Sequence, residues 1–521
     1  MKDVVCKGGA VACANGLVSN AGAEMLRRGG NAVDAAVAAA LAECVVAPGS
    51  VGIGGYGGAA VVYTKKENAV VALDFDGCAP LASTPDMFVG NEAAAERGYL
   101  SVMAPPIIAG LAALLTRYGT MEFAEVAEPA RKLADEGFPA YPALADGFGP
   151  FLEGADQESV RTLLPDGPPK EGELFVQKDL AALIAKLQKE GPESFYSGEI
   201  PRMVASAIRK HGGILDEADF GVVKPRFEEP LSVRSGEYEV FTPQPPAGGL
   251  TSLEILNAMN AIKKGDASLF AKKGCVPFFE FIETARHAWV DRLSLLGDPE
   301  FVDVPVAELL SERRANEIAA RVEAGVEADF GMPAAPGDGH TVHLVAADKE
   351  GNVVSLTETH GLWLGSWVGI PGTGLVLGNG VSRFDLEPGR ANSIAPGKRV
   401  LHNMCPLLIT RDGRPYCAVG LPGGRKIVNV AALLAYAITR LGMTVGEAIE
   451  QPRFHVEGPE AALLSSEELV AEFGRELGEA YPVQYAKGIG GVVAGVVIDP
   501  KTGNLLAASA NGADCVAAAQ Q

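Results

Sequence analysis

A Gly- and Pro-rich stretch, GMPAAPGDGH (331–340), divides the chain into two parts with different patterns. Before it, most apolar residues recur at helical spacing, whereas after it short apolar or alternating runs such as HLVAAD and GVVAGVVID predict strands. Helices are predicted at 17–46 (with a break before Asn31), 107–118, 179–189, 425–441 and 445–450. Because each element must bury its apolar face against another, we predict an α/β (α+β) fold of stacked sheets covered by helices.

The bulk composition narrows the class of protein. With 48% hydrophobic residues among 521, the chain can bury a large core. The formal net charge of -21 and the lack of a long basic run argue against a nucleic-acid partner, since phosphate binding needs clustered Lys and Arg. The chain shows neither the apolar region of a signal peptide nor an apolar run long enough to span a bilayer, so we expect a cytoplasmic protein without a membrane partner.

Cysteines and histidines give no sign of a metal site. The eight cysteines are scattered without CxxC pairs, which favours reduced core thiols over a disulfide framework or a zinc site. His211, His287 and His455 have no mutual spacing typical of metal ligands. We therefore expect no metal.

Gly52, Gly54 and Gly57 match the GxGxxG pattern of dinucleotide-binding proteins. That function needs a strand before the glycines and a helix after them, whereas here a predicted helix precedes and a predicted strand follows. We interpret the stretch as a tight turn that lets the backbone pass close to another part of the chain.

Thr341 lies where the Gly-rich stretch turns into a strand, GDGHTVHLVAAD. A threonine hydroxyl becomes a useful nucleophile when its own α-amine acts as the base, and that amine exists only if the bond between His340 and Thr341 is cut. Free α-amines titrate at about 7.7–8.0, so a neutral fraction is present near physiological pH. An ordinary strand threonine after a loop is the alternative, and the spacing alone favours it.

Gly423 and Gly424 follow a predicted strand and precede a predicted helix in AVGLPGGRKIV. Two glycines let backbone N–H groups approach a ligand closely, and the helix N-terminus adds positive potential. The turn is a candidate oxyanion hole for acyl transfer, with an ordinary strand–helix turn as the alternative.

Long motifs occur in both parts of the chain. They include GAEMLRRGGNAVDAAVAAAL, PGSVGIGGYGG, PQPPAGGLTSLEILN and HAWVDRLSLLGDPEFV before position 341, and HTVHLVAADKEGNVVSLTETHG, PGTGLVLGN, PGKRVLHNMCP and GLPGGRKI after it. Together, and in this order, they resemble the γ-glutamyltranspeptidase family of N-terminal-nucleophile hydrolases. The resemblance implies a four-layer αββα sandwich, cut into a large segment 1–340 and a small segment 341–521 that remain associated as one unit.

The same resemblance implies roles for individual residues. The family's Thr-Thr-His signature falls on Thr341, Val342 and His343, which makes Thr341 the nucleophile and His340/Thr341 the self-cleavage site. Thr359 falls on the second threonine, which assists the α-amine. Gly423 and Gly424 fall on the oxyanion-hole pair.

The substrate-binding positions depart from the family pattern. The family's arginine that binds the γ-glutamyl α-carboxylate is replaced by Asp76, and the family's aspartate that binds the α-ammonium group is replaced by Arg383. Gly361 stands in place of an asparagine, and the family's Ser-Ser pair reads His402-Asn403. A carboxylate opposite Asp76 would be repelled, so Arg383, with His402 and Asn403, is expected to hold a carboxylate in another pose. The alternative is that Asp76 and Arg383 pair with each other and close the pocket.

These features predict a self-processing threonine amidohydrolase or acyltransferase that acts on a small acidic amide, similar to the branch that includes oxamate amidohydrolase and γ-glutamyltransferase-like acylases. No metal or organic cofactor is needed. A true glutathione hydrolase and an uncleaved, non-catalytic binding protein are the alternatives, and a homodimer of the processed unit is left open. Trp363 and Trp367 either line the substrate pocket or pack within the protein core.

Overall fold

Two seven-stranded antiparallel sheets stack face to face, and helices cover the outer face of each, in a computed structural model of the chain. The structure describes residues 3–263, 276–331, 339–478 and 481–518. This arrangement is the predicted αββα sandwich. It places the predicted helix-rich and strand-rich parts in one unit, because strands from both parts pair with each other.

The described strands, in chain order, are β1 (Val4–Cys6), β2 (Gly9–Ala12), β3 (Gly57–Thr64), β4 (Ala69–Asp74), β5 (Phe138–Pro139), β6 (Leu174–Phe175), β7 (Arg226–Glu228), β8 (Leu231–Ser235), β9 (Tyr238–Thr242), β10 (His340–Asp348), β11 (Val353–Gly361), β12 (Gly369–Ile370), β13 (Leu375–Val376), β14 (Leu407–Arg411), β15 (Arg414–Gly420), β16 (Phe454–His455), β17 (Ala462–Leu464), β18 (Val483–Tyr485), β19 (Ala494–Ile498), β20 (Leu505–Ser509) and β21 (Val516–Ala518).

The described α-helices are α1 (Gly16–Arg27), α2 (Ala32–Val46), α3 (Ala93–Glu96), α4 (Ile107–Tyr118), α5 (Phe123–Val126), α6 (Glu128–Glu136), α7 (Pro142–Asp146), α8 (Gly149–Gly154), α9 (Gln157–Leu163), α10 (Lys178–Glu190), α11 (Glu199–Lys210), α12 (Glu217–Phe220), α13 (Gly249–Ala261), α14 (Phe278–Leu295), α15 (Val306–Leu309), α16 (Glu312–Glu323), α17 (Lys426–Thr439), α18 (Val445–Glu450) and α19 (Glu467–Leu477).

One sheet has the order β1-β20-β19-β15-β14-β9-β8, and the other has β21-β2-β10-β11-β3-β4-β7. Helices α1, α2 and α4 pack on the second sheet, while α13, α17 and α18 pack on the first. Apolar side chains fill the space between the sheets and both sheet–helix interfaces. Since β3, β10 and β11 are covered on both faces, they are buried almost throughout, which explains why they read as nearly continuous apolar runs.

Helix α2 supports the strand that carries Thr341. Asn31 caps it by accepting from the N–H groups of Val33 and Asp34, and Asp34 accepts in return from the Asn31 N–H. All of its residues are buried, because α2 lies between the second sheet and the outer helices α4 and α6. Its alanine-rich composition lets it pack closely on both sides.

The long predicted helices are confirmed to within a few residues at α1, α2, α4, α10, α17 and α18. The prediction of helices first and strands afterwards was incomplete. Seven of the fourteen strands in the two main sheets, namely β1 to β4 and β7 to β9, precede position 340. These strands are mostly short, and their identity depends on pairing with distant strands, so local periodicity revealed few of them.

The GxGxxG stretch joins the end of α2 to β3, in the order helix, turn, strand that the sequence predicted. A Cβ at Gly54 would lie 2.2 Å from the Val376 carbonyl oxygen, and one at Gly57 would lie 2.4 Å from Asp76 Oδ1. The glycines therefore allow close backbone packing.

The seven described cysteines are unpaired, and Cys275 lies outside the described residues. Most of the predicted linker at 331–340 also lies outside them. Among the described helices, none is both long enough and apolar enough to cross a bilayer.

Candidate active site

Thr341 occupies an irregularity in the pairing of β10 with β11. His340 pairs with Gly361 and Val342 pairs with Glu358, so the register shifts at the threonine between them. A bulge of this kind re-aims a side chain out of the regular alternation. As a result, Thr341 Oγ1 lies 3.3 Å from Thr359 Oγ1, and both residues are almost fully buried.

A short hydrogen-bond chain links the two threonines to the bond between His340 and Thr341. The hydroxyl of Thr359 donates to the His340 carbonyl oxygen at 2.5 Å, and its oxygen accepts from the Gly361 N–H at 2.9 Å. A hydroxyl has only one proton to donate, so Thr341 is the donor in its contact with Thr359. The chain polarises the His340 carbonyl next to the hydroxyl that could attack it.

Gly339 packs against the candidate oxyanion turn. A Cβ at Gly339 would lie 2.8 Å from Gly424 Cα and 3.5 Å from an Arg383 guanidinium nitrogen. The chain before Thr341 therefore occupies the space between the glycine turn and Arg383.

We expect Gly339→Ala to slow cleavage at His340/Thr341 by about a hundredfold, because the methyl group would displace the bond from Thr359. The rate is measured by mass spectrometry after expression. Gly331→Ala is the matched control, since its methyl would meet no described atom within 4 Å. Equal rates in the two variants would contradict the expectation.

Gly423 and Gly424 lie just before α17, with φ angles of 140° and 60° that favour glycine. In the described part of the chain, neither N–H donates to a backbone carbonyl. Gly490 packs closely against Gly423, because a Cβ added to Gly423 would lie 2.8 Å from the Cα of Gly490. The turn thus offers two N–H donors beside Thr341, with the helix N-terminus adding positive potential.

Arg383 and Asn403 line a small cavity of about 10 Å³ that is also bounded by Thr341, Thr359 and Gly424. Tyr56 also lines it, within electrostatic reach of Arg383, and burial raises the pKa of Tyr56 to about 12. No carboxylate forms an ion pair with Arg383 within the described ranges. The cavity therefore presents an uncompensated guanidinium beside the candidate nucleophile.

Arg292 lies almost fully buried on α14, and its role was not predicted from the sequence. Its Nη2 donates to Asn403 Oδ1 and to the His402 carbonyl oxygen, both at 2.8 Å. With its oxygen held in this way, the Asn403 amide has its N–H groups left to offer to the cavity. An arginine within an otherwise apolar helix face was the available signal.

Asp76 and His402 lie behind the cavity. Both side chains are fully buried, and neither lines the cavity. His402 Nδ1 accepts from the Met404 N–H at 3.2 Å, which leaves the ring proton on Nε2, 2.6 Å from Asp76 Oδ2. Asp76 does not form an ion pair with Arg383 in the part of the chain that the structure describes, so the two substituted positions act separately.

Arg399 anchors the carboxylates around Asp76. It contacts Asp74 and donates to Asp298 at 2.8 Å, and Asp74 accepts from the Asp76 backbone N–H. Burial raises the pKa of Asp76 to about 7, against the opposing effects of Asp74 and Arg399. Burial lowers the pKa of His402 to about 3, so the imidazole is neutral.

We expect Asp76→Asn to flatten the pH dependence of stability. The pKa of this carboxyl is near 4 in the unfolded chain and about 7 in the folded protein, so the folded protein holds the proton more tightly. The resulting contribution to stability is present at low pH and is lost as the pH rises from about 4 to about 7. Urea unfolding at pH 5 and pH 8 should show a smaller fall in the free energy of unfolding than in the wild type. The exposed Asp166→Asn variant serves as control. A fall as steep as that of the wild type would contradict the assignment.

Gly361 also bounds the small cavity, with a φ of 101°. The amide of Asn379 fills the space beside it, because a Cβ on Gly361 would lie 2.2 Å from Asn379 Oδ1. That oxygen accepts from the Leu362 N–H. Gly361 therefore supplies room and its N–H to Thr359 rather than a side-chain contact.

The two tryptophans differ in position. Trp363 packs against Gly147, donates to its carbonyl oxygen at 2.8 Å, and meets the ring of His340 edge-on at 5.1 Å between centroids. Trp367 packs on Gly154 beneath the guanidinium of Arg97, which lies 4.1 Å from its ring centroid. Only Trp363 touches the segment next to Thr341.

The remaining histidines lie elsewhere. His343 contacts Thr357 and packs against Gly420 of the other sheet. A Cβ added to Gly420 would lie 2.4 Å from the imidazole ring, so His343 lies in the interface between the sheets. His211, His287 and His455 lie apart, and no group of potential metal ligands occurs among the described residues.

The four-layer sandwich, with a threonine at the start of a central strand beside a glycine turn, has the fold of the N-terminal-nucleophile hydrolases. The family model described as gamma-glutamyltranspeptidase matches residues 18–519. This chain therefore belongs to the γ-glutamyltranspeptidase family and is an enzyme of that hydrolase and transferase class.

Relatives and solved structures agree with this assignment. The glutathione hydrolase proenzyme of Pseudomonas sp. (strain A14) is 34% identical over 476 residues, covering 87% of this chain and 82% of that protein. Acylase ACY 1 proenzyme of Pseudomonas sp. (strain SE83) is 34% identical over 474 residues, covering 88% and 83%. The crystal structure of cephalosporin acylase from Bacillus halodurans superposes with a TM-score of 0.89 at 27% identity, covering 100% of this chain and 97% of that one.

Proposed function

We propose that this enzyme is a self-processing threonine amidohydrolase or acyltransferase that cleaves an amide of a small acidic substrate through an acyl-Thr341 intermediate. One observation carries the proposal: the hydroxyl of Thr341 lies 3.3 Å from Thr359 Oγ1, which itself donates to the His340 carbonyl oxygen. That arrangement combines a nucleophile with a polarised carbonyl in the uncut chain.

Self-cleavage would begin with attack of Thr341 Oγ1 on the His340 carbonyl carbon. Thr359 would stabilise the developing negative charge on the oxygen, the C–N bond would break, and the hydroxyl proton would end on the Thr341 nitrogen. Water would then hydrolyse the resulting ester. The products are segment 1–340 with a terminal carboxylate and segment 341–521 with a free α-amine, and their shared sheets support continued association.

In each later turnover the α-amine of Thr341 would take the hydroxyl proton as the oxygen attacks the substrate amide. The N–H groups of Gly423 and Gly424 would stabilise the oxyanion, and the proton would pass to the leaving amine. Water, or an amine in a transferase, would release the acyl group. This chemistry uses no metal or organic cofactor.

The acidic character of the proposed substrate rests on Arg383 and Asn403, which line the cavity beside Thr341. The guanidinium can bind a carboxylate, and the N–H groups of Asn403 can support it. Asp76 stands where the family's carboxylate-binding arginine is expected. Because Asp76 is buried behind the cavity, this position offers no contact to a substrate carboxylate. An oxamate-like or γ-glutamyl-like amide held in a different pose fits these contacts.

Intact mass spectrometry of the purified protein tests the processing step. Two fragments that meet at His340/Thr341 support the proposal, while a single chain after prolonged incubation would favour a non-catalytic binding protein. A screen of small acidic amides, with their neutral counterparts, then tests the substrate class. Release of p-nitroaniline from γ-glutamyl-p-nitroanilide at an ordinary rate would favour the second candidate, a true glutathione hydrolase, which the names of several relatives support.

The cytoplasmic location expected from the sequence and a homodimer of the processed unit are further proposals. Cell fractionation tests the first, and size-exclusion chromatography with light scattering tests the second. Recovery in a membrane fraction would contradict the location, and a mass of about 54 kDa in solution would contradict the dimer.

A further inference from the structure

A second, larger cavity of about 630 Å³ also borders the His340–Thr341 bond. It is bounded by His340, Thr341 and Gly423, so it opens directly onto the candidate nucleophile. The small cavity with Arg383 is bounded by the same threonine. Once cleavage frees the space that Gly339 occupies beside Arg383, an amide cleaved by Thr341 can place its acyl part there and its amine part in the large cavity.

Glu43, near the C-terminal end of α2, lines the large cavity although its residue is only 1% exposed. Among the described residues, its Oε2 has no hydrogen-bond partner, and the same holds for Oε2 of Glu358 on β11, a fully buried residue that does not itself line the cavity. Helix α2 packs on β11, and Cys44, the chain neighbour of Glu43, lies 3.7 Å from Glu358 Oε1, so the two acidic residues lie near each other. Burial, with a smaller effect of Glu358, raises the pKa of Glu43. Among the described residues, no Lys, Arg or His nitrogen lies within 4.0 Å of either carboxyl group.

Two buried carboxyl groups without a cation, at the negative end of a helix, are costly when ionised. The described groups that contact the two carboxyl groups or lie nearest to them are uncharged: Cys44 contacts Glu358 at 3.7 Å, while Cys13 and Tyr141 lie within electrostatic reach of Glu43. Lys426 lies on the cavity wall formed by α17. A cation brought into the cavity by a ligand would contact Glu43 and would lie within electrostatic reach of Glu358 behind it.

We propose that Glu43 and Glu358 form a binding site for a primary ammonium group carried by the amine part of the substrate or by the acyl acceptor. The site would select diamine-like or amino-functional amines, complementing the anionic acyl part held by Arg383. Assigning the ligand as the amine part rests on the proposed function, whereas binding of an amine to the cavity does not.

The protonation states make binding dependent on pH. Burial raises the pKa of Glu358 to about 8 and that of Glu43 well above its usual range. Burial also raises the pKa of Cys13, Cys44 and Tyr141, so these groups stay neutral near pH 7. An ammonium group would bind the ionised pair and release a proton at neutral pH, and its affinity should increase up to about pH 9, below the pKa of about 10 of the amine.

Calorimetric titration of the Thr341→Ala full-length protein with 1,4-diaminobutane tests the site without any need for self-cleavage. We expect saturable binding, no binding of 1,4-butanediol, and proton release detected by repeating the titration in two buffers of different ionisation enthalpy. Glu43→Gln and Glu358→Gln should each weaken binding by about tenfold or more, as expected for loss of a charge-assisted contact. Exposed Glu153→Gln is the matched control and should bind as the parent does.

Equal affinity in Glu43→Gln and its parent, or binding of the diol as tight as that of the diamine, would overturn the site. Thermal unfolding of each variant confirms that the fold is retained, and the isosteric change leaves the cavity shape unaltered. Failure of the proposed function is distinguished by the wild-type protein: if it self-processes and hydrolyses acidic amides while the amine result is negative, only the amine site is wrong. If the diamine binds as expected but the wild type stays uncut, the site stands and the acyl-threonine mechanism falls.

Discussion

Thr341→Ala is expected to remain a single chain of 521 residues and to lose turnover of acidic amides by at least about a thousandfold. The substitution removes the oxygen that attacks both the His340 carbonyl and the substrate, and without cleavage the α-amine base never forms. Intact mass and steady-state kinetics on the same preparation measure the two effects together.

Thr341→Ser is the control for this variant, because it keeps the hydroxyl at a cost of one methyl group. It should still be cut at the same bond, although more slowly. Thr359→Ala should be cut about a hundredfold more slowly, since it removes the donor to the His340 carbonyl. Normal cleavage of Thr341→Ala at His340/Thr341 would refute the assignment of the nucleophile.

Arg383→Met is expected to lower kcat/KM for an acidic amide by about 10–100-fold, mainly through KM. The methionine replaces the arginine side chain as far as Nε and removes the charged end of the guanidinium that faces the small cavity. A neutral amide of similar size should be affected by less than about twofold, because it makes no charged contact. Kinetics with this pair of substrates separate a carboxylate contact from a general loss of activity.

Arg390→Met is the matched control on the same segment, since Arg390 pairs with Asp385 and Glu387 and does not line the cavity. Arg383→Lys should recover part of the lost activity, because a lysine restores the charge without the bidentate geometry. A parallel fall for acidic and neutral amides in Arg383→Met would show that the arginine only maintains the shape of the pocket.

Much of the helical framework was predictable because its signals are local. Asn31 and Asp34 are residues typical of a helix start and cap α2, and the apolar run to Val46 is typical of a helix buried on all sides, as α2 is. The predicted linker and strand start placed Thr341 at a boundary. The motif order brought Thr359 and the two glycines into the same hypothesis, and the fold brings these residues together.

The roles at the substrate pocket were less accessible. Asp76 and His402 were expected to contact the substrate, but the structure buries them against each other behind the cavity. Tyr56 and Arg292 were not predicted, because each acts on a residue that is distant in the chain. Tyr56 lies near Arg383, and Arg292 donates to Asn403. In the sequence, Glu43 is recognisable only as one polar residue within an apolar helix, with no sign that it lines a cavity.

The sequence by itself determined the family, the order of the helices and the residues able to perform threonine chemistry, because motifs, caps and helical periodicity are encoded by neighbours in the chain. Only the tertiary structure decided which charged side chains face the ligand. Charge, burial and reach depend on contacts between distant segments, such as β11 with α2 at Glu358 and Glu43. A carboxylate near the nucleophile can thus become a buried support, as Asp76 does, or a wall of the cavity, as Glu43 does, and spacing along the chain does not distinguish them.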